Sequence, residues 1–169
     1  MKKVLVFLFG ISMFLIMSAN KDNKVVIPKE SIRYRIIANS NDFKDQEEKM
    51  FVNTLIEPVL SDVLSNSKNI DESRRNILNN MNRIESILDK QKIDYSMNYG
   101  YNYFPVKDYR NVRYDAGSYE SLVITLGSGL GDNWWCVMFP PLCLIEAKEE
   151  NIHDVKYSLY IKDIIEKYL

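Results

Sequence analysis

The spacing of apolar residues changes along this chain, and the change constrains the fold more than any other feature. Between Phe43 and Lys90, apolar residues recur every three or four positions, which is typical of amphipathic helices. The flanking segments alternate apolar and polar residues or are rich in aromatic and β-branched residues, which indicates strands. A strand, two helices, several strands and a final helix indicate an α+β domain. We expect a mostly antiparallel sheet with about three helices on one face.

Four segments predict the strands. The first, "SIRYRIIA" at 31–38, alternates apolar residues with Arg33 and Arg35, so we expect a half-buried strand with its arginines on the polar side. The later segments are "YSMNYGYNYFPV", "SLVITLG" and "NWWCVMF". The glycine-rich "GSGLGD" at 127–132 precedes a strand and not a helix, so it predicts a hairpin turn and not a phosphate-binding loop.

The first predicted helix follows the break at "NSND", where Asn41 or Asp42 can cap it. Pro58 lies inside the helical pattern and predicts a kink or an early end near Glu57. The apolar face that the spacing predicts consists of Phe43, Met50, Phe51, Leu55, Val59 and Val63.

Two further helices follow the same rules. Asn69 followed three residues later by Glu72 is a capping-box pattern, and it predicts a helix that ends near Lys90. The apolar face of that helix is predicted to be Ile77, Met81, Ile84 and Leu88. The final helix is predicted from 152 to about 168, with an apolar side formed by Ile152, Val155, Leu159 and Ile165.

The first residues have the pattern of an export signal. Lysines at positions 2 and 3 and a 14-residue apolar run over 4–17 predict a secretory signal peptide at 1–19. The run is shorter than the roughly 20 apolar residues that a spanning helix needs. An uncleaved anchor is the alternative, and residues 4–17 would then make the only membrane contact. A linker over 20–30 and a single domain over 31–169 complete the predicted organisation.

The charge balance argues against a nucleic-acid partner. Without residues 1–19 the chain has 20 Lys and Arg against 23 Asp and Glu, a net charge of −3. No cluster of basic residues stands out, so binding to a phosphate backbone has little electrostatic support. No pattern in the sequence predicts an oligomeric state.

The usual catalytic and metal-binding patterns are also missing from the sequence. The one histidine, His153, is next to Asp154 at a predicted helix start, where a capping or surface role is the common one. Cys136 and Cys143 are separated by six residues, whereas zinc sites and thiol redox sites use tighter spacings. We therefore expect no catalytic residue, no metal and no cofactor.

The segment "NWWCVMFPPLC" at 133–143 contains both cysteines of the chain. An exported chain with an even number of cysteines most simply forms a disulfide. Residues seven apart on an extended strand would be over ~20 Å apart, so a bond requires that the chain reverse between them. Pro140 and Pro141 favour such a bend. We predict a Cys136–Cys143 disulfide, and the alternative is an exported thiol–disulfide enzyme that uses the same two residues.

Two segments together resemble a known family. "RYRIIANSNDFKDQ" and "SYESLVITLGSGLGDNWWCVMFPPLC", in this order behind a signal, resemble stage II sporulation protein R of endospore-forming bacteria, over most of residues 31–145. The resemblance implies export from the forespore to the space between the forespore and mother-cell membranes. It also implies activation of a membrane-embedded aspartic protease, which processes the precursor of the mother-cell sigma factor. The chain would then be a signalling protein and not an enzyme.

A receptor partner requires a contact surface, and the sequence offers candidates in both motifs. Tryptophan and tyrosine side chains are enriched in binding hot spots. Neighbouring tryptophans on a strand point to opposite faces of the sheet, so one of the two can lie in the core. Charged and polar residues at the first motif can form a receptor-contacting edge, or they can simply pair on the surface. The candidates are Trp134, Trp135, Phe139, Arg35, Asn39 and Asp45.

Overall fold

The computed structural model describes residues 24–109, 111–142 and 154–168, with side chains of the last helix described from 159 onward. The predicted signal at 1–19, the first linker residues 20–23, Cys143, Ile152 and His153 lie outside the described residues, as does the side chain of Val155.

The described elements are those of an α+β protein, as the sequence predicts. Seven strands and three helices are described. In chain order they are β1 (Val25–Val26), β2 (Ile32–Ile37), α1 (Phe43–Ser65), α2 (Ile70–Gln91), β3 (Tyr95–Phe104), β4 (Lys107–Tyr109), β5 (Val112–Tyr114), β6 (Gly117–Leu126), β7 (Asn133–Phe139) and α3 (Asp154–Tyr168).

The strands form two sheets. The larger sheet has the order β3-β6-β2-β7, in which β2 is parallel to β6 and antiparallel to β7. The smaller sheet has the order β1-β5-β4. Because β2 lies between β6 and β7, the glycine-rich segment 127–132 passes over the end of β2 and does not join paired neighbours. The prediction of a hairpin turn there is wrong.

Helices α1 and α2 cover one face of the larger sheet. Strand residues Ile32, Tyr34 and Ile36 point to this face, and the apolar sides of both helices pack against them. Burial of this apolar surface is the main source of stability in the fold. The helix residues in this core are Val52, Ile56, Val59, Leu60, Val63, Leu64, Ile77, Ile84 and Leu88.

The apolar face predicted for α1 is wrong in its first half. Phe43 is 78% exposed, and Met50 and Phe51 are also exposed. The buried side begins instead with Lys49 and Val52. The helix also continues through Pro58 to Ser65, so the predicted early end is wrong. Pro58 is exposed, and water can therefore satisfy the backbone carbonyl that the missing N–H leaves free.

Helix α2 confirms its sequence signals. The Asn69 side chain accepts a hydrogen bond from the backbone N–H of Glu72 at 2.9 Å. The Glu72 carboxylate in turn accepts one from the backbone N–H of Lys68, one residue before the cap. At α1, by contrast, the capping residue Asp42 makes no side-chain cap bond.

The second face of the larger sheet is also covered. Val137 and Leu142 pack there with Ile27 and Val112 of the region around the smaller sheet and with Ile161 of α3. In α3 the buried residue is Ile161 and Leu159 is exposed, so the apolar side predicted through Leu159 is wrong. Within the described part of the chain, no helix is long and apolar enough to cross a membrane.

Candidate partner-binding site

Strand β7 places its two tryptophans on opposite faces of the sheet, as strand alternation requires. Trp134 packs against the helix-covered core, with its ring 5.5 Å from the ring of Tyr34. The ring of Trp135 lies 5.5 Å from that of Phe104 on the second face. Both are partly buried, so the pair combines a packing role with remaining accessible surface.

Phe139, the third aromatic candidate of this motif, lies in the core. It is 2% exposed, and its ring is 5.8 Å from the ring of Tyr168 in α3. A ring buried in this way stabilises the fold and has no surface to offer a partner. The prediction that Phe139 contacts a receptor is therefore corrected.

A pocket lies beside Trp135, between the start of β7 and the smaller sheet. Its volume is about 200 Å³. The Nζ atom of Lys107 is 4.9 Å from the centroid of the Trp135 ring, a cation–π distance. We call this site the tryptophan pocket, and its lining residues are Lys107, Tyr109, Tyr114, Asn133, Trp134 and Trp135.

The Trp135 side chain beside the pocket has an unused hydrogen-bond donor. The indole Nε1 of Trp135 is buried, and no acceptor among the described residues bonds to it. Buried N–H groups normally have a partner, and leaving one unsatisfied costs free energy. Asn133 and Lys107 at the same pocket are exposed and add polar groups to its rim.

The prediction that Arg33 and Arg35 lie on a polar surface is wrong. Arg33 is 1% exposed, and Arg35 is partly buried. The Cζ atom of Arg33 lies 3.4 Å from the centroid of the Tyr119 ring, and Phe104 and Tyr114 complete the aromatic surroundings at 5.3 and 5.8 Å. Aromatic rings therefore take the place of water around this cation.

Neither arginine forms the surface ion pair that the sequence suggested. In the described ranges, no carboxylate lies within ion-pair distance of Arg33 or Arg35, and the three guanidinium nitrogens of Arg33 have no hydrogen-bond acceptor. Burial lowers the pKa of Arg33, and the nearby Tyr119, Tyr114 and Asp115 oppose that shift. Burial likewise lowers the pKa of Arg35, whose Cζ is 4.9 Å from the Phe104 ring centroid.

The structure separates Arg35 from the other two residues predicted for the same edge. Arg35 pairs in register with Trp135 on the second face of the sheet. Asn39 and Asp45 lie together at the end of β2, where the Asn39 amide donates a hydrogen bond to the Asp45 carboxylate at 2.8 Å. Hydrogen bonds from Ser40 and Asn39 lower the pKa of Asp45.

The glycine-rich segment 127–132 is hydrogen-bonded to the same region at the end of β2, which we call the corner around Asn39. The backbone N–H of Ser128 donates to Asn39 Oδ1 at 2.9 Å, and that of Asp132 donates to Asn41 Oδ1 at 2.7 Å. Gly127 has a φ of +50°, and a Cβ there would lie 2.5 Å from Asn39 Oδ1. A glycine is therefore required at 127 both by the backbone conformation and by the close approach of Asn39.

Lys49 of α1 links the corner to the start of β7. Its ammonium group donates to the backbone carbonyl of Asp132 at 3.1 Å and to the side chain of Gln46. Burial lowers the pKa of Lys49. The Asp132 carboxylate opposes that shift, and the positive charge of Lys107 adds to it.

The turn after β7 has the reversal that the predicted disulfide requires. Cys136 is 6% exposed in the strand, and the backbone N–H of Leu142 donates to the carbonyl of Val137 at 3.1 Å. The chain therefore folds back on itself across Pro140 and Pro141. Cys143 lies outside the described residues, so its pairing with Cys136 stays a prediction.

Sequence reasoning missed several residues of this site. Lys107 and Tyr114 come from short strands that no periodicity marks, and only the folded chain brings them to Trp135. Asn133 was signalled only by its place at the start of "NWWCVMF". No cluster of three or more metal-ligating side chains occurs within the described ranges.

Comparison with known proteins agrees with the two sequence motifs. The family described as stage II sporulation protein R matches residues 28–149. The chain belongs to the stage II sporulation protein R family. The protein of that name from Bacillus subtilis (strain 168) is 37% identical over 133 residues, which are 75% of this chain and 59% of the relative. The chain therefore spans less than two thirds of that relative's length. No solved structure matches the present chain.

The family match spans β2 through β7 and so includes every residue of the tryptophan pocket and the corner around Asn39. In the stage II sporulation protein R fold described here, the early motif supplies β2 and the start of α1, and the late motif supplies β6 and β7. The segments that identify the family thus form one continuous part of the structure. The membership establishes a role in sporulation.

Proposed function

We propose that this chain is an exported signal of sporulation that activates a membrane-embedded aspartic protease. The protease then processes the precursor of the mother-cell sigma factor. In this proposal the chain leaves the forespore through residues 1–19 and acts between the forespore and mother-cell membranes. It binds the protease and performs no chemistry itself.

The observation that carries the proposal is the family match over residues 28–149. The burial of Cys136 in β7 argues against the alternative of a thiol–disulfide enzyme. A catalytic thiol must be accessible and must sit where its thiolate is stabilised, whereas Cys136 is 6% exposed among apolar residues of β7. A disulfide at this place would stabilise the turn after the strand.

The tryptophan pocket and the corner around Asn39 provide rigid surface for such a partner. The corner is held by hydrogen bonds between segments far apart in sequence, and the tryptophans are fixed by ring contacts. A preorganised surface binds with a smaller entropy cost than a mobile one.

Reconstitution in a host without sporulation genes tests the proposal. The candidate protease and the sigma-factor precursor are expressed with the full chain, without it, or with a chain that lacks residues 1–19. We expect precursor cleavage only with the full chain, because the leaderless form stays in the wrong compartment. Equal cleavage in the absence of the chain contradicts activation, and equal cleavage with the leaderless chain contradicts export.

A further inference from the structure

The outward side of α1 carries three large apolar side chains. Phe43 is 78% exposed, and Met50 and Phe51 are 45% and 47% exposed. Met50 and Phe51 follow Phe43 by seven and eight residues, which places all three on one side of the helix over about 12 Å. Val52 and Ile56 face the sheet on the opposite side. We call Phe43, Met50 and Phe51 the outer stripe of α1.

The outer stripe is unusual for a helix that lies on one face of a sheet. Such a helix normally has polar residues on the side opposite the core. In α2, which the structure describes from Ile70 to Gln91, Leu78 is the one comparably exposed apolar side chain. The outer stripe exposes roughly 300 Å² in one place, a size at which a patch on a monomer is often functional. Helix α1 therefore has the composition of a helix that is covered on both sides.

Carboxylates surround the outer stripe. Asp42 and Glu47 are exposed, and Asp45 and Glu48 are partly buried. Lys44 is the only exposed basic residue between positions 41 and 51. Among the described residues, no basic side chain lies within ion-pair distance of Asp42, Glu47 or Glu48. The outer stripe is thus an apolar surface with a negatively charged rim.

The charge of this rim argues against two classes of partner. A second copy of the chain in a two-fold contact would bring the same carboxylates of both copies together, and like charges repel across an interface. The surface of an anionic membrane attracts lysine and arginine and repels carboxylates. The complement to the outer stripe is therefore a protein segment that is apolar and carries positive charges beside its apolar residues.

We propose that the outer stripe of α1 binds an apolar segment of the protein partner that is flanked by lysine or arginine residues. The apolar side chains of this segment cover Phe43, Met50 and Phe51, and its cations lie beside Glu47 and the neighbouring carboxylates. This assignment rests on the proposed function because it makes the protease receptor the source of the segment. Burial of two phenylalanine rings and a methionine supplies affinity, and the charges select the partner.

Site-specific photocrosslinking in the reconstituted host identifies the occupant of the outer stripe. Full chains with Phe43→p-benzoylphenylalanine or Phe51→p-benzoylphenylalanine are produced with the candidate protease, irradiated and immunoblotted for both proteins. Leu78→p-benzoylphenylalanine is the control, because Leu78 is 48% exposed on α2. We expect an adduct of chain and protease from positions 43 and 51 but not from 78.

Three results of the same experiment overturn the proposal. An adduct of two chains identifies a second copy as the occupant. The absence of any protein adduct from positions 43 and 51 is the result for a stripe that lies on the membrane or on nothing. Equal protease adducts from positions 43, 51 and 78 show that the contact is not specific to the outer stripe.

A charge reversal tests the rim separately from the apolar contact. Glu47→Lys reverses the charge within the outer stripe, and Glu85→Lys makes the same change at an exposed residue of α2. Each is combined with Phe51→p-benzoylphenylalanine. We expect Glu47→Lys to lower the adduct yield about tenfold and Glu85→Lys to leave it unchanged. An unchanged yield in a Glu47→Lys variant whose circular dichroism matches that of the wild type overturns the proposal.

The cleavage assay distinguishes failure of the outer stripe from failure of the proposed function. Loss of cleavage with the double variant Phe43→Ser, Phe51→Ser, but not with Leu78→Ser, supports the outer stripe as the receptor contact. Full cleavage with the double variant overturns that contact and leaves activation intact. If the wild-type chain itself gives no cleavage, the proposed function fails, and the photocrosslinking still decides whether the outer stripe binds the protease.

Discussion

Asn39 and Ser128 are 89 residues apart in the chain, and Ser128 donates hydrogen bonds to both the side chain and the backbone of Asn39. The Ser128 backbone N–H donates to Asn39 Oδ1, and the Ser128 hydroxyl donates to the Asn39 backbone carbonyl, each at 2.9 Å. The same Asn39 amide donates to Asp45 at the start of α1. One side chain therefore joins the strand end, the helix start and the glycine-rich segment.

Asn39→Ala is predicted to lower the free energy of unfolding by about 1–2 kcal/mol, because it removes several hydrogen bonds at a partly buried position. Urea denaturation measures the change. Asn79→Ala is the control, since Asn79 is exposed on α2 and alanine is a better helix former. Equal stability of Asn39→Ala and wild type would show that water replaces these bonds without cost.

The ion pair between Arg74 and Glu120 predicts a larger effect. Arg74 donates to both carboxylate oxygens at 2.6 and 2.7 Å, and the Tyr99 hydroxyl donates to one of them at 2.8 Å. We expect Glu120→Gln to lower the free energy of unfolding by about 1–3 kcal/mol, a range that allows for the partial exposure of Arg74. In contrast, Asp62→Asn at the exposed Arg83–Asp62 pair should cost less than about 1 kcal/mol.

The same carboxylate sets a pH dependence. The hydrogen bonds from Arg74, and then from Tyr99, lower the pKa of Glu120 in the folded protein. A lowered folded-state pKa gives stability that is fully present above the unfolded-state pKa of about 4.3 and is lost as the pH falls through the folded-state value. The stability difference between wild type and Glu120→Gln should therefore be constant above about pH 5.5 and shrink below about pH 4. A difference that grows on acidification contradicts this assignment.

Local signals in the sequence were enough to predict most helices and strands, but not to predict which of their faces are buried by other parts of the chain. The capping box at Asn69 and the aromatic alternation of β3 depend on neighbouring residues, so both could be predicted. Which face of a strand is covered depends on residues far away. The alternation around Arg33 resembles that of a half-exposed strand, but Tyr119, Tyr114 and Phe104 close over it in the folded chain.

The same limit explains the other corrections. Phe43, Met50 and Phe51 fit a helical stripe, yet α1 is rotated so that Val52 and Ile56 face the sheet. The glycine-rich segment has the composition of a hairpin turn, and only the insertion of β2 between β6 and β7 gives it a different path. At the candidate site, the tryptophans could be predicted from the motif. Lys107 and Tyr114 could not, because only the tertiary fold brings them next to Trp135.

The buried cation Arg33 predicts an order of stability among its replacements. Arg33→Met keeps the approximate volume and removes a charge without an acceptor, so we expect a change below about 1.5 kcal/mol. Arg33→Lys should cost more, about 2–4 kcal/mol, because an ammonium group is more strongly hydrated and cannot stack flat on Tyr119. Urea denaturation gives both values. A lysine variant as stable as wild type would contradict the view that stacking holds this arginine.

The disulfide remains a prediction with a direct chemical test. The chain reversal between Val137 and Leu142 brings the segment after the turn back toward β7. We expect the exported protein to show no free thiol on labelling under denaturing conditions and two after reduction. Labelling of both cysteines without reduction would show that Cys136 is held in the core by packing alone. Loss of the bond should lower stability by roughly 2–3 kcal/mol.

The order of events in the reconstituted host tests the central claim most directly. The protease and the sigma-factor precursor are produced first, the full chain is induced later from a separate promoter, and precursor length is followed by immunoblot. We predict that the precursor persists until the chain is induced and is then converted to the shorter form. Conversion before induction, or a conversion rate that induction does not change, would contradict the account of this chain as the activating signal.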